Sequence, residues 1–307
     1  MGKSYRAYRK GDTMLTVGIS ESYTTVQSAV DACPVGGTVY VRSGIYRERV
    51  EIRKPLTLIG ESARDTVITG GLYGYMPCED GKLGTFRSYT CLVFSDDVVM
   101  EHITIENTAG WGKDIGQAVA LYAEGDRLRF FDCRILGRQD TLFTGPLPHH
   151  EIEKGGFMGP TEHAPRRSVH QYYDRCYIEG DVDFIFGSAN ARFTDCNICS
   201  LDRGQAVNGY VTASSAYEGD GGYVFEGCVF TSDCPDRTVY LGRPWRDHAR
   251  VTFIDCDMGS HIVPELIHDW DKPSTHDTAC YTFIGCRGID PDVPRLPFVH
   301  IITEDDR

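Results

Sequence analysis

The chain has 307 residues, with 31 Lys plus Arg against 44 Asp plus Glu, a formal charge of −13, and 41% hydrophobic residues. This is the composition of an ordinary soluble globular protein, and no run approaches the roughly 18 consecutive apolar residues that a membrane span requires. The acidic balance comes without any cluster of five or more basic residues, so the expected partners include neither nucleic acid nor membrane.

The start, MGKSYRAYRKGDTMLTVG, holds no apolar stretch of signal-peptide length. The expected location is therefore cytoplasmic, and secretion would need a leader ahead of this sequence. The first predicted element is a short helix over 23–33 (YTTVQSAVDAC), with Val26, Ala29, Val30 and Cys33 on one face. Thr24 or Thr25 can cap it, and Pro34 with Gly36-Gly37 stops it. Next, 98–105 and 127–135 mix alternation with β-branched and aromatic residues between Gly, Asp and Asn, and are predicted strands.

Six of the twelve cysteines fall in one recurring pattern of apolar, two residues, Cys, one residue, apolar. The copies are Phe130/Cys133/Ile135, Tyr173/Cys176/Ile178, Phe193/Cys196/Ile198, Phe225/Cys228/Phe230, Phe253/Cys256/Met258 and Phe283/Cys286. An earlier copy, Met100/Ile103/Ile105, has Ile in the Cys place, and successive copies start 30, 43, 20, 32, 28 and 30 residues apart. That is a solenoid period with loops of variable length. The predicted fold is a parallel β-solenoid whose equivalent side chains stack inward, with the early helix as a lid over its open end; an irregular β-sandwich is the alternative. The cysteines are expected to be reduced, and a single CxxC at Cys196 and Cys199 makes a weak zinc site. A stretch over 145–168, rich in Pro, Gly and His, is a predicted long irregular loop; His149, His150, His163 and His170 lack metal-ligand spacing.

Four polar segments interrupt this apolar background: GQAVAL around Gln117, GRQDTLF around Gln139 and Asp140, GDVDFIFG around Asp181 and Asp183, and LGRPW around Arg243 and Trp245. Neighbouring coils of a solenoid lie about 5 Å apart, so these residues can share one stripe. Two carboxylates, two amides and a guanidinium form a coherent set: one ionised Asp attacks, a protonated Asp donates, and the amides face an oxyanion. From composition alone, the favoured reading of Asp140 and Asp183 is as turn or rung-end residues satisfied by backbone amides.

Together with GIYRE (44–48), TFRS (85–88) and ITIENTAG (103–110), these motifs resemble, in order, those of the pectin methylesterase (pectinesterase) family of carbohydrate esterases. The resemblance runs from about residue 13 to 281. It implies a single-stranded right-handed parallel β-helix, here one domain over 1–307. It also implies metal- and cofactor-free hydrolysis of galacturonosyl C6 methyl esters in homogalacturonan or oligogalacturonides, by a monomer. On the same basis Asp183 is the nucleophile that forms an acyl-enzyme, Asp140 the acid and then base, and Gln117 and Gln139 the oxyanion donors. Arg243 holds Asp183, and Trp245, Phe86, Arg138 and Phe184 are expected at the substrate. Asp181 is not assigned to catalysis, and Tyr46 and Glu48 are read as structural.

The chain departs from the family pattern at Arg138, where relatives carry an aromatic, and at Leu266-Ile267, where they carry Gly-Trp; Trp270 is a candidate substitute platform. A pectate-type lyase, with a carboxylate-held calcium ion and an Arg or Lys base, and a non-catalytic glycan-binding solenoid are the competing functions.

Overall fold

The computed structural model describes residues 14–302; residues 1–13 and 303–307 of the expected domain lie outside the described range. Three parallel sheets of eleven, eight and seven strands form the faces of a coil. One turn runs through Leu128–Phe131, Arg134–Leu136 and Leu142–Thr144, then begins the next at His170–Asp174. Each strand pairs in parallel with its equivalent on the next coil, as in Phe130 opposite Tyr173 and Tyr173 opposite Phe193. The fold is the predicted parallel β-helix, and no helix among the described residues is long and apolar enough to cross a membrane.

The two predicted strands each prove to be two. The first divides into Val99–Glu101 and Thr104–Asn107, the second into Leu128–Phe131 and Arg134–Leu136. The break is a corner at the residue before the Cys position, where His102, Asp132, Arg175, Asp195, Gly227, Asp255 and Gly285 all have φ between 50° and 64°. Asp and Gly tolerate this left-handed conformation better than most residues. The corner explains the recurring spacing: it turns the chain onto the next sheet and keeps both the aromatic and the Cys pointing inward.

The inward columns are regular. Phe130, Tyr173, Phe193, Phe225, Phe253 and Phe283 stack with centroids 4.5–5.2 Å apart and planes within 6–12°. Beside them, each Cys donates its Sγ–H to the carbonyl of the residue that opens the preceding copy, from Cys133 to Met100 through Cys286 to Phe253, at 3.4–3.5 Å. Cys thus offers a donor as well as small apolar volume, which Ile103 in the first copy cannot.

Helix α1 (Val26–Ala32) is capped by Thr25 and buries Val26, Ala29 and Val30, with Cys33 also buried. Its first N–H groups have a second partner: Glu48 accepts from Val26 and Gln27 at 2.7 and 2.9 Å. The Tyr46 hydroxyl donates to the Arg42 carbonyl at 2.8 Å, so both residues of GIYRE serve the fold as expected.

Candidate active site

The seven-stranded sheet turns one row of side chains inward and the next outward. From its strands Leu121–Ala123, Leu142–Thr144 and Val182–Gly187, the residues Leu121, Leu142 and Ile185 enter the main core. Tyr122, Phe143 and Phe186 face out and join Phe86, Tyr89, Val119, Leu147 and Phe157 in a second apolar cluster. The polar residues singled out in the sequence lie at the ends of these and neighbouring strands. Backbone bonds tie their coils together: Ala118 donates to Gln139 at 3.0 Å, Asp140 to Val182 at 3.0 Å, and Arg243 to Thr212 at 2.9 Å.

Both aspartates sit in the left-handed region, Asp140 at φ 62° and Asp183 at φ 49°. Around Asp183 the ladder slips: Val182 pairs with Tyr210, but the next paired residue is Ile185, opposite Thr212. This bulge sends Phe184 and Ile185 into the core in succession and leaves Asp183 free to reach Arg243. Gly180 makes the bulge feasible, since a Cβ there would lie 2.3 Å from the Cβ of Phe184.

Arg243 grips Asp183 with two bonds, Nε to Oδ1 at 2.8 Å and Nη2 to Oδ2 at 2.6 Å. Both carboxyls are buried, which favours their neutral forms. Burial pushes Asp140 well above the usual carboxylate range and the charge of Asp183 adds to it, with Arg243 and the Gln139 amide acting oppositely. Burial raises Asp183 too, but the Arg243 hydrogen bonds and charge pull it back. Both carboxyls are thus raised, but unequally: Asp140 is displaced further, while Asp183 has the Arg243 cation to favour its ionised form. Gln139 immediately precedes Asp140 on the same coil and Gln117 lies on the coil before; both side chains are half-buried.

The expected substrate contacts fare unevenly. Phe184 is a correction: it is fully buried in the main core, because the bulge points it inward. Phe86 is 3% exposed and packs edge-on at 5.1 Å from Phe143 and 5.9 Å from Phe157, so in this structure it is a core residue with no free face. Arg138 turns away to Asp181, at 3.7 Å, and to the Asp202 carbonyl, at 3.2 Å. Its charge is used to accompany a buried carboxylate that also accepts from the Val182 N–H at 2.7 Å. Trp245 is half-buried, edge-on to Phe186 at 5.7 Å and Phe157 at 6.4 Å.

Phe157 belongs to the irregular 145–168 loop, whose part in the site the sequence did not reveal beyond its length. Tyr217 donates to the Leu147 carbonyl at 2.7 Å, Tyr122 bonds to Thr161, and Arg166 donates to the carbonyls of Pro148, Thr161, Glu162 and Ala164. His149 stacks on Tyr217 at 4.2 Å and His170 pairs with Asp126. Leu266 and Ile267, at the place of the relatives' Gly-Trp, are buried.

A family profile described as Pectinesterase matches residues 13–147 and 162–293. Pectinesterase 31 of Arabidopsis thaliana is 33% identical over 302 residues, covering 94% of this chain and 86% of that protein. The crystal structure of the pectin methylesterase from Aspergillus niger superposes with a TM-score of 0.74 at 30% identity, covering 94% of this chain and 90% of that one. A pectin methylesterase in complex with a hexasaccharide gives 0.74 at 25% identity, covering 95% and 93%.

Proposed function

Because the chain belongs to the pectinesterase family, we propose that it hydrolyses the C6 methyl esters of galacturonosyl units in pectin or oligogalacturonides, giving methanol and free carboxylate. The observation that carries this reading is the split carboxylate pair: Asp183 held bidentately by Arg243, beside Asp140 kept protonated by burial and by its neighbour's charge. A carboxylate oxygen of Asp183 attacks the ester carbon, and the Gln117 and Gln139 amides receive the oxyanion that forms. Collapse breaks the bond to methoxide, and Asp140 supplies the proton that makes it methanol. The acyl-enzyme is an anhydride between Asp183 and the uronate. Asp140, now ionised, takes a proton from water, whose oxygen attacks the uronate carbon and returns Asp183 as carboxylate. Trp245, half-buried with Arg246 over its ring at 4.7 Å, is the aromatic assigned to a sugar ring.

The finer part of the reading is a monomer working on short, partly methylated oligogalacturonides in a reducing compartment. All twelve cysteines are free and seven of them buried, and the loop that brings Phe157 against Trp245 includes residues 148–161, which fall outside the family match. The test is methanol release from methylated pectin and from methylated trigalacturonate, with chelator present and unsaturated products followed by absorbance. Methanol without absorbance gain supports the esterase; calcium-dependent absorbance without methanol means a lyase; neither signal leaves a binding solenoid.

A further inference from the structure

Arg243 is held by more than Asp183. Its Cζ lies 3.9 Å over the ring of Tyr210 and 3.7 Å over the ring of Trp270. Two rings at that distance cannot share one side of a guanidinium, so the planar group is held between them with its edge on Asp183. The clamp is itself backed. Tyr210 stacks on Tyr240 at 5.5 Å and 13°, and His268 sets its edge against both tyrosines at 5.9 and 5.3 Å. The backbone N–H of Trp270 donates to His268 Nδ1 at 2.9 Å. Lys272 lies 4.0 Å over the Trp270 ring and donates to the carbonyls of Pro244 and Trp245 at 3.2 and 3.3 Å, fastening this loop to the LGRPW turn. Trp270 occupies φ 59°, a costly conformation for a bulky residue that persists only where the surroundings impose it.

We propose that Tyr210 and Trp270 are positioning residues that clamp the guanidinium of Arg243 in the plane required for its bidentate bond to Asp183. The chemistry is direct. Arginine has several rotatable bonds and loses conformational freedom when fixed, and a bidentate pair needs the guanidinium and carboxylate nearly coplanar. Stacking both faces leaves only the edge available, which sets that plane before substrate arrives, and the ring quadrupoles favour the cation they enclose. Asp183 is buried, so its ionised form depends on Arg243 staying in place. The role differs from that of a sugar platform, which would act on substrate affinity alone.

This inference rests on the esterase reading for its kinetic arm, and a second arm is free of it. In the first, kcat and KM are measured across pH for Trp270→Leu and Trp270→Phe. Loss of the ring moves the acid limb of the profile up by about one pH unit and lowers kcat roughly tenfold, with KM changing less than about threefold. Phe restores both. In the second, the Asp183 carboxyl is titrated by carbon-13 NMR without substrate; its midpoint rises in Trp270→Leu and stays near that of the parent protein in Trp270→Phe. Tyr210→Leu and Tyr210→Phe repeat the comparison should the Trp270 variants fail to fold. An unchanged Asp183 midpoint with a raised KM overturns the clamp and makes Trp270 a substrate platform. Absence of methanol release with a shifted midpoint keeps the clamp and removes the esterase.

Discussion

Asp183 without Arg243 would be a buried carboxylate with every reason to take up a proton. On the proposed mechanism, replacing Asp183 by Asn removes the nucleophile, and methanol release should fall by roughly a thousandfold or more. Arg243→Lys keeps the charge but loses the planar two-point grip, and turnover should fall roughly ten- to a hundredfold, about 1.4 to 3 kcal/mol. An Asp183→Asn protein with full turnover would refute the mechanism. Asp140 also carries a stability cost. Its folded-state pKa is raised, so the fold is favoured below the unfolded value of about 4 and loses that advantage as pH rises through the folded value. Asp140→Asn cannot ionise. It should melt a few degrees higher than the parent protein near pH 7 to 8, with the difference vanishing near pH 4; equal melting across pH would show that the carboxyl is not strained by burial.

The 145–168 loop is held at one point by a group that titrates near neutrality. Glu124 follows the strand Leu121–Ala123, is 6% exposed, and has its Oε2 buried without a hydrogen-bond partner. A Cβ at Gly145 would lie 2.9 Å from that oxygen. Burial pushes its carboxyl up to about 7, against Thr161, Arg166, Tyr122 and Arg167, which lower it. A shift of that size is on the order of 3 kcal/mol. Since the folded value is raised, the stabilisation is complete below about pH 4.5 and is lost as pH rises through about 7. Proteolysis within 148–161 should therefore accelerate as pH rises from about 4.5 to about 7 and level off above that in the parent protein, and Glu124→Gln should flatten that dependence. At helix α1, Glu48→Ala strips two N–H groups of their acceptor and should cost about 1 to 2 kcal/mol in urea unfolding. A loss near zero would mean that water replaces the carboxylate. The element itself was readable in the sequence because 3.6-residue spacing is local; Glu48, 22 residues from Val26, was not.

From Phe130 onward the core carries two regular columns among its aliphatic residues. One is aromatic, the other a series of thiols each bonded to the coil before it, with equivalent residues placed opposite one another by parallel register. Seven cysteines are buried and five partly exposed. A thiol reagent should therefore label five residues readily, and the remaining seven only when the coil unfolds, because buried neutral thiols are inert. Fewer than twelve labelled under denaturing, non-reducing conditions would reveal a disulfide. The charge of −13 opposes a polyanion at low ionic strength, which favours neutral, methyl-esterified stretches.

Period and motif made much of the molecule legible. The aromatic–Cys repeat determined a coil of stacked strands, because side-chain direction in a strand follows from sequence spacing, and the ordered Gln, Asp and Arg motifs named the polar set. Tertiary structure alone decided the rest. Phe184 looked like a site residue until the bulge turned it inward, and the packing of Phe86 on Phe157 and the pairing of Arg138 with Asp181 were equally invisible in the sequence. Tyr210 carried no motif; it gains a role only because register sets it opposite Val182, beside the bulge, while a loop 60 residues onward brings Trp270 to the same guanidinium. A repeat is written in every coil, but a contact between a bulge and a distant loop depends on where the coils place them.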